Sequence, residues 1–148
     1  MLIPPDNAVK IGPHYLWIED DMYVAVLEGD ITVEHIVAML RFSQTLVEKH
    51  GYRLSLVDAR RAGTITPDAR RTSAAYQREH PSLEAVGAFG TGVLLRAMYA
   101  IYSGVVSLVT NSQREMALFK TELETRAWLD SQRIRLRRIV RRPPSLST

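Results

Sequence analysis

A chain of 148 residues with 46% hydrophobic and 24% charged residues has room for one globular core and not for two comfortable domains. It contains no cysteine, which excludes disulfides, thiolate nucleophiles, Cys-ligated zinc and iron–sulfur clusters and fits a reducing compartment, so a cytoplasmic protein is expected. The formal charge of +3 is uneven: residues 131–148 carry six arginines (Arg133, Arg135, Arg137, Arg138, Arg141, Arg142) and no acid, which leaves 13 basic against 16 acidic groups, net −3, over residues 1–130.

Residues 1–13, with Pro4, Pro5 and Pro13, read as an extended lead-in and lack the basic-then-apolar pattern of a secretory signal. Residues 14–19 and 22–28 are β-rich runs separated by Asp20-Asp21, the signature of an antiparallel hairpin. Gly29 breaks the second strand. Thr32 then N-caps a helix whose apolar residues are Val33, Ile36, Leu40, Phe42, Leu46 and Val47, stopped by Gly51 after His50. Residues 54–58 form a short buried-type strand, and Thr66-Pro67 places a cap and an N1 proline at the next helix, which ends before Pro81. Residues 84–89 predict a fourth strand, 92–109 a strongly apolar helix, 116–120 a fifth strand, and 122 to about 133 a last helix with Leu123, Ala127 and Trp128. The order β-β-α-β-α-β-α-β-α predicts an α/β domain, a mixed five-stranded sheet with four main helices, over residues 14–133, with an arginine-rich tail over 134–148.

A strand hairpin, then Gly29-Asp30-Ile31-Thr32-Val33-Glu34 opening a helix, a strand ending in Asp58, and Phe119 followed by Ala127-Trp128-Leu129 resemble the SpoIIAA-like family of small STAS/SEC14-type domains. The resemblance spans roughly residues 14–133. It implies a STAS-like fold, usually without enzymatic activity, used for protein partnership or, in the SEC14-type relatives, for apolar ligands. In STAS anti-sigma-factor antagonists a serine that begins the helix after the central strand is phosphorylated, and the matching position here is Thr66. The segment Gly63-Thr64-Ile65-Thr66-Pro67-Asp68 has Pro67-Asp68 where that family has an Asp-Ser-Ser-Gly pattern, and Asp68 would oppose a phosphate. Thr66 also reads as a plain helix cap.

Several constellations bear on chemistry. Gly87-Ala88-Phe89-Gly90-Thr91-Gly92 follows a strand and opens a helix, where backbone amides can cradle an anion, but its spacing is neither a dinucleotide fingerprint nor a P-loop. Arg60 and Arg61 leave the end of the strand closed by Asp58, on the same sheet edge, and Arg96 lies one turn into the helix. Arg60, Arg61, Gly90, Thr91, Gly92 and Arg96 are therefore the candidate anionic-ligand edge, unless the arginines simply pair with Asp58 and Asp68. His14, His35, His50 and His80 show no ligand-spaced pair, so no metal and no cofactor is expected. No Gly-x-Ser-x-Gly elbow singles out a serine, and an enzyme is the less favoured reading.

The 92–109 segment has Arg96, Ser103 and Ser107 on one narrow stripe and is otherwise apolar, tyrosine hydroxyls apart. Its surplus apolar face calls for cover: a second subunit first, an apolar ligand second, a bilayer last, because 18 residues with a charge make a poor span. Met98, Tyr99, Tyr102, Val105 and Val106 are the candidate interface or ligand residues. The arginine tail reads as a helix extension, an added edge strand or a flexible arm. It could meet phosphates of nucleic acid or an anionic membrane surface, yet it lacks the aromatic cluster, recognition helix or zinc pattern of a nucleic-acid module, and docking on the acidic body is favoured. The expected function is a non-enzymatic regulatory or scaffolding module that binds a protein partner as a homodimer. The alternative is a SEC14-type binding protein for a lipid or other apolar ligand with an anionic head group.

Overall fold

The computed structural model describes residues 2–90 and 114–141. In chain order the elements are β1 (Val9–Ile11), β2 (His14–Glu19), β3 (Met22–Ile31), α1 (Val33–His50), β4 (Tyr52–Ile65), α2 (Pro67–Glu79), β5 (Leu83–Phe89), β6 (Arg114–Phe119) and α3 (Glu122–Arg141). The strands form one sheet in the order β1-β2-β3-β4-β5-β6. The first three pair antiparallel, and β3 to β6 run parallel.

The helix limits follow from local hydrogen bonding. Thr32 caps α1, its hydroxyl accepting from the His35 amide at 3.4 Å, while the His35 ring accepts from the Thr32 amide at 3.2 Å. Gly51 ends the helix at φ 81°, a left-handed conformation open to glycine, and donates to the Val47 carbonyl at 2.8 Å. Thr66 caps α2 by accepting from the Ala69 amide at 3.2 Å, with Pro67 in the first turn.

The mixed α/β sheet is as expected, but among the described residues it has six strands rather than five. The extra strand is β1, in the lead-in: Gly12 at φ 57° turns the chain back so that Val9 lies opposite Leu16 and Ile11 opposite His14. Strand β4 is far longer than residues 54–58. Beyond Asp58 it leaves β5 and continues with β3 alone, pairing Glu28 with Arg61, Gly29 with Ala62 and Ile31 with Ile65 through two register shifts. Gly29, expected to end the strand, instead takes φ 72° within it. The described residues contain three helices, not four. The helix expected over 92–109 lies outside them, with the candidate residues Thr91, Gly92, Arg96, Met98, Tyr99, Tyr102, Val105 and Val106. Helix α3 runs to Arg141 rather than about residue 133, so the first part of the arginine tail is a helix extension.

Alternation along the central strands sends one set of side chains to each face. Tyr23, Ala25, Leu27, Val57, Ala59, Val86 and Ala88 form a core with Met39 and Leu46 of α1 and Ala69 of α2. Met22, Val24, Leu54, Leu56, Ala85 and Phe89 face the other way, onto Leu129 and Leu136 of α3. Coverage on both sides explains why these strands read as nearly continuous apolar runs. No helix among the described residues is long and apolar enough to cross a membrane.

Candidate functional site

The parallel strands end on one edge of the sheet, and the extension of β3 and β4 forms a two-stranded ribbon beyond the end of β5. Of the candidate edge residues, the structure describes Arg60, Arg61 and Gly90. Arg60 binds Asp58 through two guanidinium nitrogens, Nε to Oδ1 at 3.0 Å and Nη2 to Oδ2 at 2.7 Å. It also stacks over Phe89, 5.3 Å from the ring centroid. Hydrogen bonding to Asp58 pushes the Arg60 guanidinium above its ordinary value. Gly90, at φ 120°, is required by this approach, because a Cβ there would lie 2.9 Å from the Arg60 amide nitrogen. Arg60 and Phe89 border a shallow hollow completed by Lys120, Thr121, Glu122, Leu123 and Arg126.

Arg61 points elsewhere along the ribbon and pairs with Glu28 at 3.0 Å. Next to it the Asp30 carboxylate accepts from the Thr64 amide at 2.9 Å and from its hydroxyl at 3.3 Å. Gly63 is where this crossing is tightest: a Cβ would meet the Asp30 carboxylate. The ribbon meets α2 at Thr66, whose amide donates to the Ile31 carbonyl at 3.1 Å and whose hydroxyl is engaged in the helix cap. Asp68 pairs with Arg71, so neither Arg60 nor Arg61 takes it, whereas Arg60 does take Asp58.

Two groupings escaped the linear pattern. His14, fully buried, and His35, separated from it by 21 positions, meet edge to face with ring centroids 4.8 Å apart. The signals were present singly: His14 occupies the inward side of β2 with Leu16, and His35 stands three residues after the capping threonine. The second grouping surrounds Asp21, taken for a turn residue yet 2% exposed. It accepts from the Tyr52 hydroxyl at 2.5 Å, from Arg133 at 2.9 Å and from Arg137 at 3.4 Å. Burial pushes the Asp21 carboxyl up, but the bonds from Arg133 and Tyr52 outweigh it and leave the carboxyl below its ordinary value. Two of the tail-region arginines, Arg133 and Arg137, thus pair with a buried acid of the same chain. A further pairing ties Arg126 to Glu19 at 2.9 Å and to Glu122 at 2.8 Å.

Between the sheet and helices α1 and α2 lies an apolar cavity of about 80 Å³, bordered by Leu27, Ile36, Met39, Val57 and Val86. Its polar end includes Ser43 and Arg53, the latter ion-paired with buried Glu84. Among the described residues no group of three or more His, Asp or Glu is placed to hold a metal ion.

No protein-family model matches the sequence, and no curated protein matches it either. The structure is similar to the crystal structure of an uncharacterized protein from the DUF3478 family with a SpoIIAA-like fold, from Shewanella loihica PV-4. The TM-score is 0.55 at 16% identity, over 77% of this chain and 90% of that one. At that identity the likeness shows the fold.

Proposed function

We propose that this SpoIIAA-like fold serves as a non-enzymatic STAS-type regulatory or scaffolding module that binds a protein partner and self-associates as a homodimer. The observation that carries the reading is the β3–β4 ribbon. It projects past β5 next to the capped start of α2, and its exposed polar side chains are held in place from within the chain: Arg60 by Asp58, Arg61 by Glu28, Thr64 by Asp30. A polar surface held in this way loses less side-chain freedom on meeting a partner, which is one of the costs of docking long charged residues. Thr66 stands at the base of the ribbon, so a phosphate there, should the residue be a phosphoacceptor, would alter the charge of the same surface.

Arg60 and Gly90, with Thr91, Gly92 and Arg96, stay the candidate edge for an anionic group of that partner or of a small ligand. The dimer contact is assigned to Met98, Tyr99, Tyr102, Val105 and Val106 on the strength of their apolar sequence. The alternative reading, a carrier of a lipid or other apolar ligand, draws on the apolar lining of the cavity under α1 and α2. A volume of about 80 Å³ is well below the roughly 300–1,000 Å³ of typical ligand sites, so the partner-binding reading is preferred.

The test is site-specific photo-cross-linking in cells, with a benzophenone amino acid at Thr64 on the ribbon, which leaves Arg61 in place, and, as control, at exposed Glu124 on α3. One discrete protein adduct at position 64 and none at 124 is expected. Equal labelling at both positions, or none at 64, overturns the reading. Sedimentation equilibrium should give a dimer mass that Tyr102→Glu or Met98→Glu converts to monomer, and an unchanged mass rejects the assigned contact. A lipid adduct retained in native mass spectrometry would favour the carrier.

A further inference from the structure

The His14–His35 pair sits directly beneath the ribbon, and its hydrogen bonds go to the backbone of the residues that order the ribbon's side chains. His14 Nδ1 accepts from the Glu28 amide at 3.0 Å, and its Nε2 faces the Asp30 carbonyl at 3.2 Å and His35 Nδ1 at 3.3 Å. His35 Nδ1 in turn accepts from the Thr32 amide at 3.2 Å. An accepting Nδ1 carries no hydrogen, so each ring in its neutral form has its proton on Nε2. Glu28 and Asp30, whose backbone His14 holds, are the residues whose side chains hold Arg61 and Thr64. The loop between β1 and β2 closes over the pair, with Gly12 so near that a Cβ there would clash with the His35 ring.

We propose that His14 and His35 form an acid-sensitive latch that controls the order of the β3–β4 ribbon, a regulatory role that rests on the ribbon being the partner surface. A second proton on either ring must go to Nδ1. On His14 it would confront the Glu28 N–H, and on His35 it would confront both the Thr32 N–H and the His14 Nε2–H. Donor then faces donor at part-buried sites around fully buried His14, and the contacts that register β3 against the start of α1 are lost. The charged side chain whose field reaches His14 is Glu28 on β3, itself paired with Arg61 of β4; Asp30 on β3 and Glu34 in the first turn of α1 lie close in the chain, and Lys10 of β1 sits over Tyr15 on the other face of the sheet. Burial and the neighbouring His35 hold the His14 imidazole below its ordinary value, against the Asp30 carbonyl and the Glu28 charge, which act the other way. A histidine with a lowered folded value binds fewer protons folded than unfolded. Its contribution is therefore present above pH 6.5 and lost as pH falls below it.

The experiment is backbone amide hydrogen exchange on the full chain at pH 7 and pH 5, corrected for intrinsic rates, with ¹⁵N spectra of the histidine rings recorded in parallel. In the wild type, opening at the Glu28, Thr32 and Thr64 amides should rise roughly tenfold at pH 5, while Leu56 in the middle of β4 stays protected. The double variant His14→Asn/His35→Asn, which keeps side-chain acceptors for the Glu28 and Thr32 amides and does not titrate, should flatten this response. If that variant does not fold, the wild-type ring spectra decide: protonation of the Nδ1 positions must coincide with exposure of the three amides. Equal protection at both pH values, or protonated rings beneath protected amides, overturns the latch. Cross-linking from position 64 separates the two ideas. An adduct at pH 7 that fades at pH 5 supports the coupling, one that persists while the latch opens overturns it, and none at pH 7 removes the partner reading while exchange still judges the latch.

Discussion

The two faces of the sheet are sealed differently. On the α3 face the contact is close: Gly87 of β5 has no side chain because Thr125 and Leu129 occupy its place, and a Cβ there would lie 2.7 Å from Thr125 Cγ2. Charged pairs then fasten that helix, Glu19 to Arg126 toward one end and buried Asp21 to Arg133 and Arg137 further along. The α1/α2 face leaves a cavity of about 80 Å³ and holds the His14–His35 and Arg53–Glu84 clusters next to its apolar core. A tight face with bonded edges resists displacement as a unit, whereas a face with slack and titratable groups within it can rearrange locally. The ribbon is joined to this second face.

The sharpest way to break the contrast is Leu129→Ala. Leu129 is 1% exposed and packs where α3 is nearest the sheet, and with little freedom for the site to collapse the loss should be about 2–5 kcal/mol in denaturant unfolding. Next comes Asp21→Asn. It leaves Tyr52 and two arginines facing a neutral amide, and because Arg133 and Arg137 are partly solvated the cost should be about 2 kcal/mol rather than the full penalty of a buried pair. Since the Asp21 carboxyl is held below its ordinary 3.8, its contribution is present above that pH and lost as pH falls through the folded value. Wild type and variant should therefore converge in stability as pH falls below 3.8 and through the lower folded value, and a constant difference across the acid range would show that Asp21 does not act through its charge.

How much of this was legible varied with the range of the forces involved. Thr32, Gly51 and Thr66-Pro67 marked helix limits correctly because caps are satisfied within four residues. The extension of β4 was not legible: residues 59–65 are polar on their outer side, and only pairing with β3 across an intervening helix makes them a strand. The length of α3 was half visible, since Leu129 and Leu136 are seven apart and both buried, yet the arginines between and after them concealed the apolar stripe. In the candidate edge, Asp58 and Arg60 were adjacent enough to foresee their pairing. The His14–His35 contact joins two elements and left no trace in spacing.

Substitutions on adjacent positions of β5 then test the packing contrast with little change in chemistry. Gly87→Ala, toward α3, forces Thr125 aside and should cost roughly 1–3 kcal/mol by overpacking. Val86→Ile, one residue earlier and toward the cavity, adds a single methylene where space exists, and should be neutral or stabilise by up to about 0.8 kcal/mol. Thermal unfolding of the two variants side by side reads the difference, and equal losses in both would mean that the α1/α2 face is as tightly packed as the other.

The smallest effect is expected on the ribbon. The Arg61–Glu28 pair is substantially solvated, with side chains 60% and 38% exposed, so Arg61→Ala should change global stability by less than about 0.5 kcal/mol. The same substitution removes a fixed guanidinium from the proposed partner surface, which a stability measurement would not register but partner capture would. Cross-linking from a benzophenone at neighbouring Thr64 should therefore weaken in the Arg61→Ala background while the unfolding midpoint stays where it was. A large loss of stability instead would mean that the ribbon is held together by this pair, and that its exposed charges belong to the fold rather than to recognition.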